Sequence, residues 1–145
     1  MNSAPIFSEA ATLFGTARKM MDAVCVLYQR DSAHFFSTNN FLTAFTIELF
    51  LKAALAEHGV KGGQRWGHDL EPLYKLADES GLIEFSHKVQ LGQMVDILSR
   101  GHKEHSFRYL KPDATVSYLT SIDAGLHALN ALEQHLGSRI NLNPL

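Results

Sequence analysis

An all-α fold, an up-and-down bundle of four long helices with a short fifth, is what this sequence predicts, on three observations. Apolar residues recur at steps of three and four through most of the chain. No stretch alternates apolar and polar side chains as a half-buried strand would. Glycines and capping residues fall where the periodic runs stop. At 145 residues, 46% of them hydrophobic and 19% charged, the chain can close one core without disulfides or metals. A single domain spanning 1–145 follows.

The residues Phe7, Ala10, Phe14, Ala17, Met21, Val24 and Tyr28 form a seam for antiparallel packing, so one long helix is expected from Phe7 to Tyr28, begun near Ser8. After Asp31 and the capping candidates Ser37, Thr38 and Asn39, a second helix runs from about Asn40 to Glu57 and stops at Gly59. Phe41, Leu42, Phe45, Ile47, Leu49, Phe50, Leu51 and Leu55 leave it little polar face, which places it at the centre of the bundle. Gly59 to His68 holds four glycines with Lys61, Arg65 and Trp66 and no apolar period, hence a loop. Asp69 then reads as the N-cap of a short helix that tolerates Pro72 in its first turn, buries Leu70, Leu73, Tyr74 and Ala77, and ends at Ser80 and Gly81. A fourth helix, roughly Ile83 to Ser99, turns Leu91, Met94, Val95 and Leu98 inward. Arg100 to Lys111 breaks the pattern with six basic or histidine side chains in twelve positions. Asp113 caps a last helix through about Leu136, with Val116, Leu119, Ile122, Leu126, Leu129, Leu132 and Leu136 inward and Gly137 as its stop.

The formal net charge of -2 gives no global basic field, so any nucleic-acid contact needs a local patch. Cys25 has no thiol partner for a disulfide or a zinc site, which fits a reducing compartment and an inert packing role. No basic-then-apolar leader opens the sequence and no apolar run is long enough to span a bilayer, so a cytoplasmic protein with no membrane contact is expected.

Three segments carry a family likeness: AFTIELFLKAAL from Ala44 to Leu55, GHDLEPLYKLA from Gly67 to Ala77, and FRYLKPD from Phe107 to Asp113. In this order, on helices expected independently, they resemble the HEPN family, the "higher eukaryotes and prokaryotes nucleotide-binding" domains. These are small helical bundles with an E-L-x-x-K helix, an H-D-L step into a short helix and, in one branch, an R-Y-P-like entry to the final helix. The resemblance spans roughly residues 8 to 136. It implies a homodimer and either a metal-independent ribonuclease of a prokaryotic toxin–antitoxin or defence pair, or a non-catalytic module binding a nucleotide or a nucleotidyltransferase-type antitoxin. No cofactor and no metal are expected.

In catalytic members an arginine followed closely by a histidine cleaves RNA. Histidine moves a proton as the 2′-OH attacks the adjacent phosphate, and arginine's planar fork balances the charge building on phosphoryl oxygens. Arg100 and His105 match that spacing and are the candidate catalytic pair. On an unbroken helix, residues five apart project roughly 140° from one another, so their convergence requires a bend at Gly101. His105 and Arg108, three apart, form a second candidate phosphate contact. His102 and His105 have spacing that permits metal contact, but no nearby carboxylate or cysteine set completes it. The segment also reads simply as a solvated basic turn. Tyr109 is a packing residue or a base contact; Trp66 is a base or partner contact, or a plug over the bundle end.

Glu48 and Lys52, at i and i+4, lie about 6 Å apart on one face and can pair. On so apolar a helix they are either a structural ion pair or the polar floor of a ligand cleft. His68 and Asp69 divide likewise between a packed ring beside a helix cap and a dyad of metal-phosphohydrolase type.

Overall fold

The computed structural model describes residues 3–60, 67–103 and 117–145, and within them the chain is five α-helices and no strand. The bundle expected from the apolar periodicity is present: α1 (Glu9–Asp31), α2 (Phe36–Glu57), the short α3 (Leu70–Glu79), α4 (Lys88–Lys103) and α5 (Ile122–Gly137).

Ser8 starts α1 as anticipated, its Oγ accepting the Ala11 N–H at 3.1 Å. Phe14, early in α1, meets Phe50, late in α2, with ring centroids 5.5 Å apart, so the two helices run antiparallel as a hairpin. α2 contacts every other helix and most of its apolar side chains are buried, with Phe36, Phe41, Leu42 and Phe45 half-buried. Its central place follows from a side-chain set that is apolar on all sides. Phe50 is fully buried, and burying such a ring contributes about 1.5–3 kcal/mol.

Helix ends account for most differences from the sequence expectation. α2 begins at Phe36, so Ser37, Thr38 and Asn39 lie inside it rather than capping it. Asp31 serves the preceding turn instead, accepting the His34 N–H at 3.0 Å. Asn40 is buried and bridges elements: its Nδ2 donates to Phe36 O at 3.0 Å and its Oδ1 accepts the Leu119 N–H at 2.7 Å. α2 and α3 end at Gly59 and Gly81 as expected, with φ of 83° and 70°. Both are Schellman stops. Leu82 N–H bonds to Ala77 O and Val60 N–H to Leu55 O, each at 3.0 Å.

α4 starts at Lys88, later than Ile83, because the connector is claimed by other partners. Ile83 is fully buried, the Leu82 carbonyl lies 3.0 Å from His135 Nε2, and the Lys88 ammonium bridges Asp78 and Glu84. At its far end α4 continues past Ser99 to Lys103, so Arg100, Gly101 and His102 are helical. α5 starts at Ile122, capped by Ser121, whose Oγ accepts the Ala124 N–H; Leu119 is buried ahead of it and Leu126 is half-buried. Asp113 and Val116 lie outside the described residues. No helix among the described residues is long and apolar enough to cross a membrane.

Candidate functional site

The centre of interest forms around Glu48, midway along the central helix. Because α2 packs against all four other helices, its one mid-helix carboxylate is 1% exposed. A buried carboxylate must be paired and hydrogen-bonded to remain ionised, and Glu48 has three nitrogen partners. Lys52, one turn on, places Nζ 2.7 Å from Oε1. His68, at the entry to α3 and following Gly67 with its φ of 58°, places Nδ1 2.9 Å from the same oxygen. His102, in the last turn of α4, places Nε2 2.5 Å from Oε2.

Burial alone would raise the Glu48 carboxyl, but the hydrogen bonds from His102 and Lys52, with the charge each brings, outweigh it and lower the pKa to about 2. An ionised carboxylate only accepts, which assigns a proton to each ring nitrogen facing it: Nδ1–H on His68 and Nε2–H on His102. Phe45 walls the cluster on its apolar side, its ring 5.7 Å from that of His102, edge-on, and 6.3 Å from that of His68. The His68 side chain is 50% exposed and that of His102 only 2%, so the centre opens outward on the His68 side.

Asp69 occupies the N-cap position of α3 but makes no side-chain capping bond. It faces α4 instead, with Oδ2 3.1 Å from Lys103 Nζ and Oδ1 3.5 Å from Ser99 Oγ. Arg100 is exposed on the same stretch of α4. Among the described residues, Asp69, Glu71, Asp96, Ser99, Arg100 and Lys103 line a shallow cleft of about 300 Å³ beside the cluster, three carboxylates against two cations.

No protein-family model, curated protein or solved structure matches this chain.

Of the residues singled out in the sequence, Glu48, Lys52 and His68 meet at one point, and Asp69 and Arg100 line the neighbouring cleft. The Glu48–Lys52 pair is a buried ion pair, and His68 is a second partner of the same carboxylate oxygen. α4 remains helical through Gly101 to Lys103. His105, Arg108, Tyr109 and Trp66 lie outside the described residues. The residue that sequence reasoning missed is His102, considered there only as a companion to His105. Its signal was present: Leu91, Val95, Leu98 and His102 continue the three-and-four spacing of the inward face, one turn past the expected end of the helix.

The cluster suits two kinds of chemistry. A carboxylate holding the Nδ1–H of a half-exposed imidazole sets the ring's tautomer and orientation, the arrangement used for general acid–base work. The three donor groups Glu48, His68 and His102, with ligand atoms all within 4.8 Å of one another, also make a set that can hold a metal ion.

Proposed function

We propose that this chain is a HEPN-like helical module that acts on the phosphodiester of RNA as a metal-independent ribonuclease, working as a homodimer within a prokaryotic toxin–antitoxin or defence pair. One observation carries the reading: Glu48 and Lys52 of the E-L-x-x-K helix and His68 of the H-D-L step meet at one polar centre, together with the last turn of α4. In this reading His68, held through Nδ1 by Glu48, and His105 of the Arg100–His105 motif share the proton transfers. Arg100 balances charge on the phosphoryl oxygens, and the product is a 2′,3′-cyclic phosphate. Arg108 and Tyr109 contribute further contacts to the nucleotide.

A second reading is favoured by the carboxylates of Asp69, Glu71 and Asp96, which outnumber the cations among the described residues of the cleft beside Arg100 and repel a polyanion. In it the same face is a non-catalytic module that binds a single nucleotide or a nucleotidyltransferase-type antitoxin.

The deciding experiment is cleavage of mixed-sequence RNA by the purified protein in excess chelator, beside Arg100→Ala, His105→Ala and His68→Ala. Cyclic-phosphate products lost in the Arg100 and His105 variants support the ribonuclease and its motif. Intact RNA from a folded helical protein transfers the assignment to the binding module.

A further inference from the structure

The geometry points to a binding site for one divalent transition-metal ion at Glu48, His68 and His102, with Lys52 as the outer partner of the carboxylate. The site shares Glu48 and His68 with the ribonuclease reading, which uses no metal, and an ion bound there would take His68 out of the proton transfers. The donor set is two imidazoles and one carboxylate, which prefers zinc, cobalt or nickel to magnesium or calcium.

The groups come from three elements that the fold already holds together: the middle of α2, the entry to α3 and the last turn of α4. Metal–ligand distances of about 2.0–2.2 Å in a tetrahedral site put donor atoms roughly 3.4 Å apart. Glu48 Oε2 and His102 Nε2, 2.5 Å apart, are already closer than that, and His68 Nδ1 lies 2.9 Å from the other carboxylate oxygen. With all three donors inside 4.8 Å of one another, no pair has to close by more than roughly 1.4 Å. His102 and Glu48 are held by burial, whereas the His68 side chain is half exposed, so the adjustment falls on its ring.

Lys52 is the feature that has to be reconciled, since its ammonium lies 2.7 Å from Glu48 Oε1. With Glu48 ionised and both imidazoles neutral, a dication brings the group including Lys52 to a net charge of +2. That equals the charge of zinc on three neutral histidines, a common catalytic arrangement. Lys52 can therefore keep Oε1 while the ion takes Oε2 and the two ring nitrogens, in the role of an outer-shell partner that orients a ligating carboxylate. Each ring then moves its proton to its other nitrogen or gives it up.

The test is titration of the full-length protein with Co²⁺, followed by its visible absorption, and equilibrium dialysis with Zn²⁺, both without RNA. His68→Ala, Lys52→Gln and a His127→Ala control run beside the wild type. One ion per chain is expected, with binding weakened at least tenfold in His68→Ala and unchanged in His127→Ala, whose side chain is 72% exposed and outside the cluster. Lys52→Gln keeps all three ligands and is expected to bind at least as tightly as the wild type. No binding by the folded wild type overturns the site, as does binding that survives in His68→Ala. A loss in Lys52→Gln equal to that in His68→Ala also overturns it, because the ammonium is not a ligand. None of these outcomes depends on whether the protein cleaves RNA.

Discussion

His102 Nε2 lies 2.5 Å from Glu48 Oε2, a contact between the last turn of α4 and the middle of α2 across 54 positions of sequence. It completes the hydrogen bonding of a carboxylate that would otherwise depend on Lys52 and a half-exposed histidine.

Removing that charge while leaving the partners in place is expected to be costly. Glu48→Gln leaves the Lys52 ammonium in a largely buried position without its counter-ion, and breaking a buried pair from one side costs about 3–5 kcal/mol. The double replacement Glu48→Leu with Lys52→Met removes both charges and is expected to cost less than Glu48→Gln alone. Urea denaturation of the three proteins checks the order; equal losses would show that shape rather than charge governs the site.

Acid should unfold the protein through the same group. The Glu48 pKa is lowered from 4.5 to about 2, so folding favours its ionised form. The resulting stability is fully present above the unfolded value of 4.5 and is lost as pH falls from there through about 2. Those two values correspond to about 3 kcal/mol. Urea midpoints measured from neutral pH down to pH 2 should show this decline in the wild type and a flatter profile in Glu48→Gln.

Asn40 is predicted to hold the start of α2 to the segment ahead of α5. Its Oδ1 accepts the Leu119 N–H at 2.7 Å in a buried setting, so Asn40→Ala strands that amide and should cost about 1–3 kcal/mol. Faster hydrogen exchange at the Leu119 amide, beside the stability loss, is the specific sign. Unchanged exchange would mean that another acceptor replaces the side chain.

Gly81→Ala tests a backbone requirement free of packing. A Cβ at this position meets nothing within 4 Å, yet φ is 70°, the left-handed conformation of the stop that ends α3. A loss of about 1 kcal/mol in thermal or urea unfolding is expected from conformation alone. Gly15→Ala, which also meets nothing within 4 Å but lies inside α1, should instead be neutral or stabilising.

The elements legible in the sequence were those whose signals are local. Ser8 caps α1, Gly59 and Gly81 stop α2 and α3, and the all-round apolar content of α2 put it at the centre. Boundaries differ where a local signal goes unused or a distant group takes its place. Ser37, Thr38 and Asn39 look like caps but are taken into α2, and Ile83 was read into α4 but belongs to a connector bonded to α5 through His135. Asp69 was expected to cap α3 and instead faces Lys103 of α4.

The candidate site divides along the same line. The Glu48–Lys52 pair follows from sequence alone, because a helix fixes the separation of residues four apart. That His68 and His102 join them, and that the carboxylate is buried and so needs all three partners, depends on how α3 and α4 are rotated and set against α2. Periodicity reveals which face of a helix turns inward. The register between helices is decided only when the side chains of the whole core pack together.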